Sequence, residues 1–153
     1  MSTATNSIDL SQRPPRSPRV RLGGYVLLPR ILDKARASAA GKLGEYHYSG
    51  KGMDRHFFNF VGLDHESFKA EVAKGLGDYE ILQWVQANSK NKREAWEIAA
   101  WSHFHETRVP DSDFETMPEF AAEVAKFNKN REDIHSWFSL LDLDDYCSFG
   151  GKA

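Results

Sequence analysis

Apolar residues recur along most of this chain at helical spacing, and nowhere do they alternate long enough to build a sheet. Leu28, Ile31, Leu32, Ala35 and Ala39 fall on one stripe, with Lys34 and Ala37 outside it. That pattern predicts an amphipathic helix opened by Pro29, whose missing N–H costs nothing there, and ended by Gly41. GEYHYSGKG, residues 44–52, is too glycine-rich for a helix, and its alternating aromatics suggest a short extended piece. Asp54 is a candidate cap for a short helical turn through HFFNF. Asp64 reads as the N-cap of a helix to Lys74, closed by Gly75 and Gly77. Asp78 reads as the next cap, ahead of a face made by Ile81, Leu82, Trp84 and Val85.

Residues 92–108 predict a longer helix ended before Pro110. It is apolar over most of its circumference, as a helix central to a bundle is. Glu97 interrupts that surface and, if buried, demands a charged partner such as an arginine. Trp84, Trp96, Trp101 and Trp137 all fall on apolar helical faces and are expected in the core. Asp111 and Ser112 are further candidate caps, and Pro118 is expected to divide a short turn from a helix through Phe127. A last helix over about 132–142 places Ile134, Trp137, Phe138 and Leu141 on one stripe, followed by the acidic and then aromatic exit LDLDDYCSFGGKA. The expectation is an all-α fold, a compact orthogonal helical bundle with an extended N-terminal strap and at most a short strand stub. Residues 1–8 read as a disordered tail and 9–153 as one helical domain.

Composition narrows the class. With 153 residues, 41% hydrophobic and 27% charged, the chain is long enough to bury a real core. A net charge of −2 argues against a protein that coats nucleic acid. The single cysteine, Cys147, excludes an internal disulfide and a cysteine-built zinc site. MSTATNSIDLSQ lacks the basic and apolar regions of a signal peptide, and no window has the length of a membrane span. A cytoplasmic location, without membrane or nucleic-acid partners, is expected.

The strap RPPRSPRVRLGGYVLLPR, residues 13–30, contains Arg13, Arg16, Arg19, Arg21 and Arg30, and no carboxylate lies between Asp9 and Asp33. Pro14, Pro15 and Pro18 hold it extended. Three readings compete: anion binding through the planar guanidinium fork, a polyproline ligand for another domain, and docking onto the same chain. Neither usual orientation of a basic-flanked PxxP fits, because Gln12 and Val20 occupy the flanking positions. Internal docking is favoured for most of the segment, with Asp142, Asp144 and Asp145 as candidate partners. Any unpaired arginine is then left for an anion.

No complete catalytic signature is present. Gly23-Gly24 and Gly150-Gly151 match neither a Walker nor a dinucleotide-binding pattern, and no cofactor is expected. His103, His105 and Glu106 invite a metal reading. His103 and His105, however, lie about 160° apart on a helix of 3.6 residues per turn and cannot share one ion. The simpler account is a core-facing His103, and no metal ligand is assigned. GEYHYSGKGMDRHFF is the better candidate, since loops carry sites more often than helices. His47 or His56 could act as a base oriented by Asp54 or Glu45. Tyr46 and Tyr48 could stack a planar ligand, and Arg19, Arg21 and Arg36 could hold an anionic one.

PPRSPRVRLGGYVLLPR, GEYHY, DRHFF and LDLDDYCSFGGKA together resemble a bacterial family catalogued only as a domain of unknown function. The resemblance covers nearly the whole chain. It implies a short, single-domain protein of the bacterial cytoplasm and carries no activity or catalytic residues. The reading taken forward is a small ligand-binding or protein-interaction module for an anionic or planar partner. Its alternative is a cofactor-free enzyme using His47 or His56 with Asp54.

Overall fold

Leu27 turns the strap into the first helix by adopting φ 70° and ψ −32°, the single non-glycine residue with positive φ among the described residues. Its carbonyl accepts from Ile31 N–H at 2.9 Å, which starts α1, Leu28–Ala39. Pro29 lies in the first turn as expected, and Gly41 follows the end of α1 with φ +67°. In this computed structural model, residues 8–110 and 116–153 are described. Residues 1–7 of the expected tail and the candidate caps Asp111 and Ser112 lie outside them.

The other helices are α2, Asp54–Val61; α3, His65–Val72; α4, Asp78–Asn88; α5, Ala95–Thr107; α6, Thr116–Asn128; and α7, Trp137–Ser148. The fold is all-α. Its only β feature among the described residues is an isolated antiparallel bridge between Leu22 and Tyr25, the turn made by the double glycine. The 44–52 loop forms no strand.

The main core gathers Val26 and Leu27 of the strap and Leu28, Ile31, Leu32 and Ala35 of α1. To these it adds Phe57, Phe58 and Val61 of α2, Phe68 and Val72 of α3, Ile81, Leu82 and Val85 of α4, and Phe138 of α7. Phe57 sits at its aromatic centre, edge-on to Tyr25, Phe58, Phe68 and Trp101. A smaller cluster joins Phe120 and Val124 of α6 to Leu140 of α7.

Several boundaries and faces differ from the sequence reading. Asp64 does cap α3, accepting from Ser67 N–H at 2.9 Å. Asp54 and Asp78 instead lie inside the first turns of α2 and α4, behind Met53 and Gly77. Their carboxylates are engaged by distant cations, so they are not available as caps. Pro118 does not divide α6, because it falls in the first turn, where a proline N–H is not required. The last helix starts at Trp137, capped by Ser136, and continues through the acidic stretch to Ser148. Asp142 and Asp145 are matched by strap and α1 arginines, so the stretch expected as an acidic exit is helical.

Ala37 is fully buried and Ala39 exposed, the reverse of the expected stripe; Ala37 shares a helix face with Asp33, which Arg16 of the strap engages. α5 is peripheral rather than central. Trp101 stacks on Phe60 at 5.0 Å and Ile98 faces the core, whereas Trp96 and Phe104 are 68% and 58% exposed. An all-round apolar helix does not by itself dictate neighbours on every side. His103 faces solvent, and His105 takes the buried position instead. Glu97 does meet Arg93, at 3.6 Å, but in a half-exposed setting.

Candidate functional site

The strap is bound to its own chain by a lattice of arginines and carboxylates. Arg16 donates to Asp33 of α1 at 3.0 Å and to Asp78 of α4 at 2.6 Å. Arg36 reaches the same Asp78 at 2.8 Å, so one carboxylate ties strap, α1 and α4 together. The hydrogen bond from Arg16 is the main reason that the Asp78 carboxyl lies below its usual range. Arg19 donates to Asp142 and Ser139 of α7, and Arg21 to Glu106 of α5. Ser102 of α5, fully buried, accepts from Val26 N–H and donates to the Gly24 carbonyl. Internal docking therefore accounts for Arg16, Arg19, Arg21 and Arg36. Arg13 stays exposed.

Beside this lattice lies a cleft of about 450 Å³ between α1, the 45–54 loop and α7. Arg30 and Lys34, one turn apart on α1, line one wall together with Leu27, which precedes the helix. Leu141 and Asp144 face them from α7, and Glu45, Tyr46, His47, Lys51 and Asp54 close the loop side. The loop is seated by Gly44, where φ is +59° and a Cβ would come within 2.8 Å of the Leu10 carbonyl.

Two charge pairs are buried in this wall. Arg30 grips Asp145 with both terminal nitrogens, at 2.7 and 3.1 Å, and Tyr46 donates its hydroxyl to the same carboxylate at 2.7 Å. Lys34 Nζ contacts both oxygens of Asp54, at 2.8 and 2.7 Å. The Lys34 and Asp54 side chains are only 12% and 4% exposed. Burial pushes the Lys34 amine down, against the opposing charge of Asp54. Burial likewise pushes the Asp54 carboxyl up, against Lys34. Both directions favour a proton passing between them. Burial also raises the Tyr46 phenol, keeping it a hydrogen-bond donor.

Leu27 adds backbone strain to the same wall. A positive φ in a bulky residue is an outlier, costing on the order of 1–3 kcal/mol, and such strain collects at functional sites.

The residues singled out in the sequence are dispersed around this cleft. Asp54, Tyr46 and His47 line it, with His47 exposed at the rim. Tyr48 turns instead towards α3, donating to the His65 carbonyl and packing on Phe58. His56 points to another cleft, of about 390 Å³, with Arg55, Arg108, Glu119 and Trp137. Residues two apart on a helix face different ways, which separates His56 from Asp54. Arg108 donates to His56 Nε2 at 3.1 Å, which makes that nitrogen the acceptor of a neutral ring. The partner of Asp54 is thus Lys34, which the sequence reading treated only as an off-stripe residue. Its signal was the Arg30/Lys34 spacing along the edge of the α1 stripe. No group of three or more metal-ligating side chains occurs among the described residues.

The model of a family described as Domain of unknown function (DUF5069) matches residues 12–147. The chain belongs to that family. The match runs from the strap into α7, so every residue of the Arg30–Asp145 and Lys34–Asp54 pairs lies within the DUF5069 region. A search of curated proteins finds no match to the chain. No helix among the described residues is long and apolar enough to cross a membrane.

Proposed function

We propose that this DUF5069 chain binds a small polar molecule in the cleft between α1, the 45–54 loop and α7. The observation that carries the reading is the buried Lys34–Asp54 pair in the wall of a cleft also reached by Tyr46 and Arg30. Buried ionisable groups with opposed shifts in a concave site are a recurrent mark of function. The cleft cations Arg30, Lys34 and Lys51 meet the carboxylates of Glu45, Asp54, Asp144 and Asp145, which disfavours a polyanion and favours an uncharged or zwitterionic ligand. An anion-seeking surface on the strap is less supported, since Arg19, Arg21 and Arg36 already face carboxylates. Protein recognition through the strap is weakened for the same reason.

The test is a thermal-shift screen of the full chain against small amino acids, oxo acids, sugars, phosphorylated metabolites and nucleotides. A ligand at about 100 times its Kd adds about 2.7 kcal/mol of stability. The shift should persist in Arg19→Ala and disappear in Lys34→Met and Tyr46→Phe. A shift lost in Arg19→Ala but kept in both cleft variants would return the site to the strap.

A further inference from the structure

We infer that Lys34 is a nucleophile for small carbonyl compounds, an aldehyde or ketone, with Asp54 as its proton partner in the cleft. The inference rests on the ligand-binding reading of that cleft and specifies its chemistry. Ordinary surface lysines fail as nucleophiles because they are protonated and solvated. Lys34 departs from them on geometry. Its amine lies in a cleft wall, is shielded from water, and has both oxygens of one buried carboxylate within 2.8 Å. Desolvation lowers the amine and raises the carboxyl, both in the direction of moving a proton from nitrogen to oxygen. Apolar Leu27, Met53 and Leu141 line the same cleft of about 450 Å³, which has room for a carbon skeleton.

Lys34 ammonium gives one proton to Asp54, leaving a neutral amine and a carboxylic acid. The amine nitrogen bonds to the carbonyl carbon, and the nitrogen's proton moves to the former carbonyl oxygen, giving a carbinolamine. Asp54 returns its proton to that hydroxyl, the C–O bond breaks and water leaves. The product is an iminium on Nζ with Asp54 again a carboxylate beside it. Nothing is oxidised or reduced, and no co-reactant is needed. The stationary charge pair Arg30–Asp145 completes the wall and holds Tyr46 at the rim.

Reductive trapping tests this directly. The full chain is incubated at neutral pH with propanal or pyruvate and borohydride, and adducts are assigned by peptide mass mapping. Lys34 should be labelled at least about tenfold faster than exposed Lys74 and Lys126, as expected for an amine with a larger neutral fraction. Its advantage should narrow as pH rises towards the range in which exposed lysines lose their protons. Asp54→Asn, checked for folding by circular dichroism, should slow trapping by roughly a hundredfold through loss of the acid. Labelling of wild-type Lys34 no faster than that of the surface lysines overturns the inference, whatever the variants do. Unchanged trapping in folded Asp54→Asn removes the role of Asp54. If thermal-shift ligands still depend on Lys34 and Tyr46 while trapping fails, the carbonyl chemistry falls and the binding cleft stands. If both fail, the cleft reading falls with it.

Discussion

His105 is buried between Trp101, Phe104 and His56, and its Nδ1 has no hydrogen-bond partner among the described residues. Burial, followed by the nearby His56 and Arg108, lowers its pKa to about 4 from 6.5. The ring is therefore neutral when folded, while an unfolded histidine takes up a proton near 6.5. Between pH 6.5 and about 4 the unfolded state binds more protons, so stability is complete above the window and falls as the solution is acidified. His56, lowered chiefly by burial, acts in the same direction. His105→Phe should flatten this acid limb in urea titrations repeated across that range. A wild-type-to-variant difference independent of pH would show that the neutral ring is not the source. The Asp78 ion pairs fade only below the ordinary carboxylate range, because their folded pKa is depressed, and so leave this window clear.

α1 and the strap each meet α7 through a charge pair, and the two pairs differ in character. Arg30–Asp145 is buried, with side chains 5% and 9% exposed, whereas Arg19–Asp142 is 38% and 37% exposed. Removing one partner of a buried pair strands a charge and costs about 3–5 kcal/mol, while an exposed pair contributes about 0–1 kcal/mol. Asp145→Asn should therefore lower the urea midpoint far more than Asp142→Asn. Equal losses would mean that desolvation does not separate the two pairs. α1, α3 and α4 were legible from stripes and from Asp64, because those signals act within one helical turn. The end of α7 was not, since Asp142 and Asp145 look like an end to a helix until Arg19 and Arg30 arrive from over a hundred residues away. α5 misled for a related reason: its apolar circumference exceeded the surface that its neighbours cover.

Across the molecule, the two apolar clusters carry unequal weight. Phe57 is fully buried among strap, α2, α3 and α5 aromatics, and Phe120 belongs to the smaller α6–α7 cluster. Phe57→Ala should cost about 3–5 kcal/mol, a large part of the roughly 5–15 kcal/mol available to a domain. Phe120→Ala should cost less and leave the main unfolding transition in place by circular dichroism. Loss of that transition in Phe120→Ala would show that the small cluster is integral to the core.

Taken by itself, the amino-acid order determined the all-α class, most of the helices and the family to which the chain belongs. Those features depend on spacings of a few residues or on motifs read in line. Only the tertiary structure decided that Asp54 faces Lys34 rather than a histidine, and that His56 and Asp54 open into different clefts. It also decided that Leu27 is held at positive φ over the site. The physical reason is range: apolar periodicity is a local property of the chain, whereas the partner of a buried charge is chosen by what the whole fold brings within a few ångströms and shields from water.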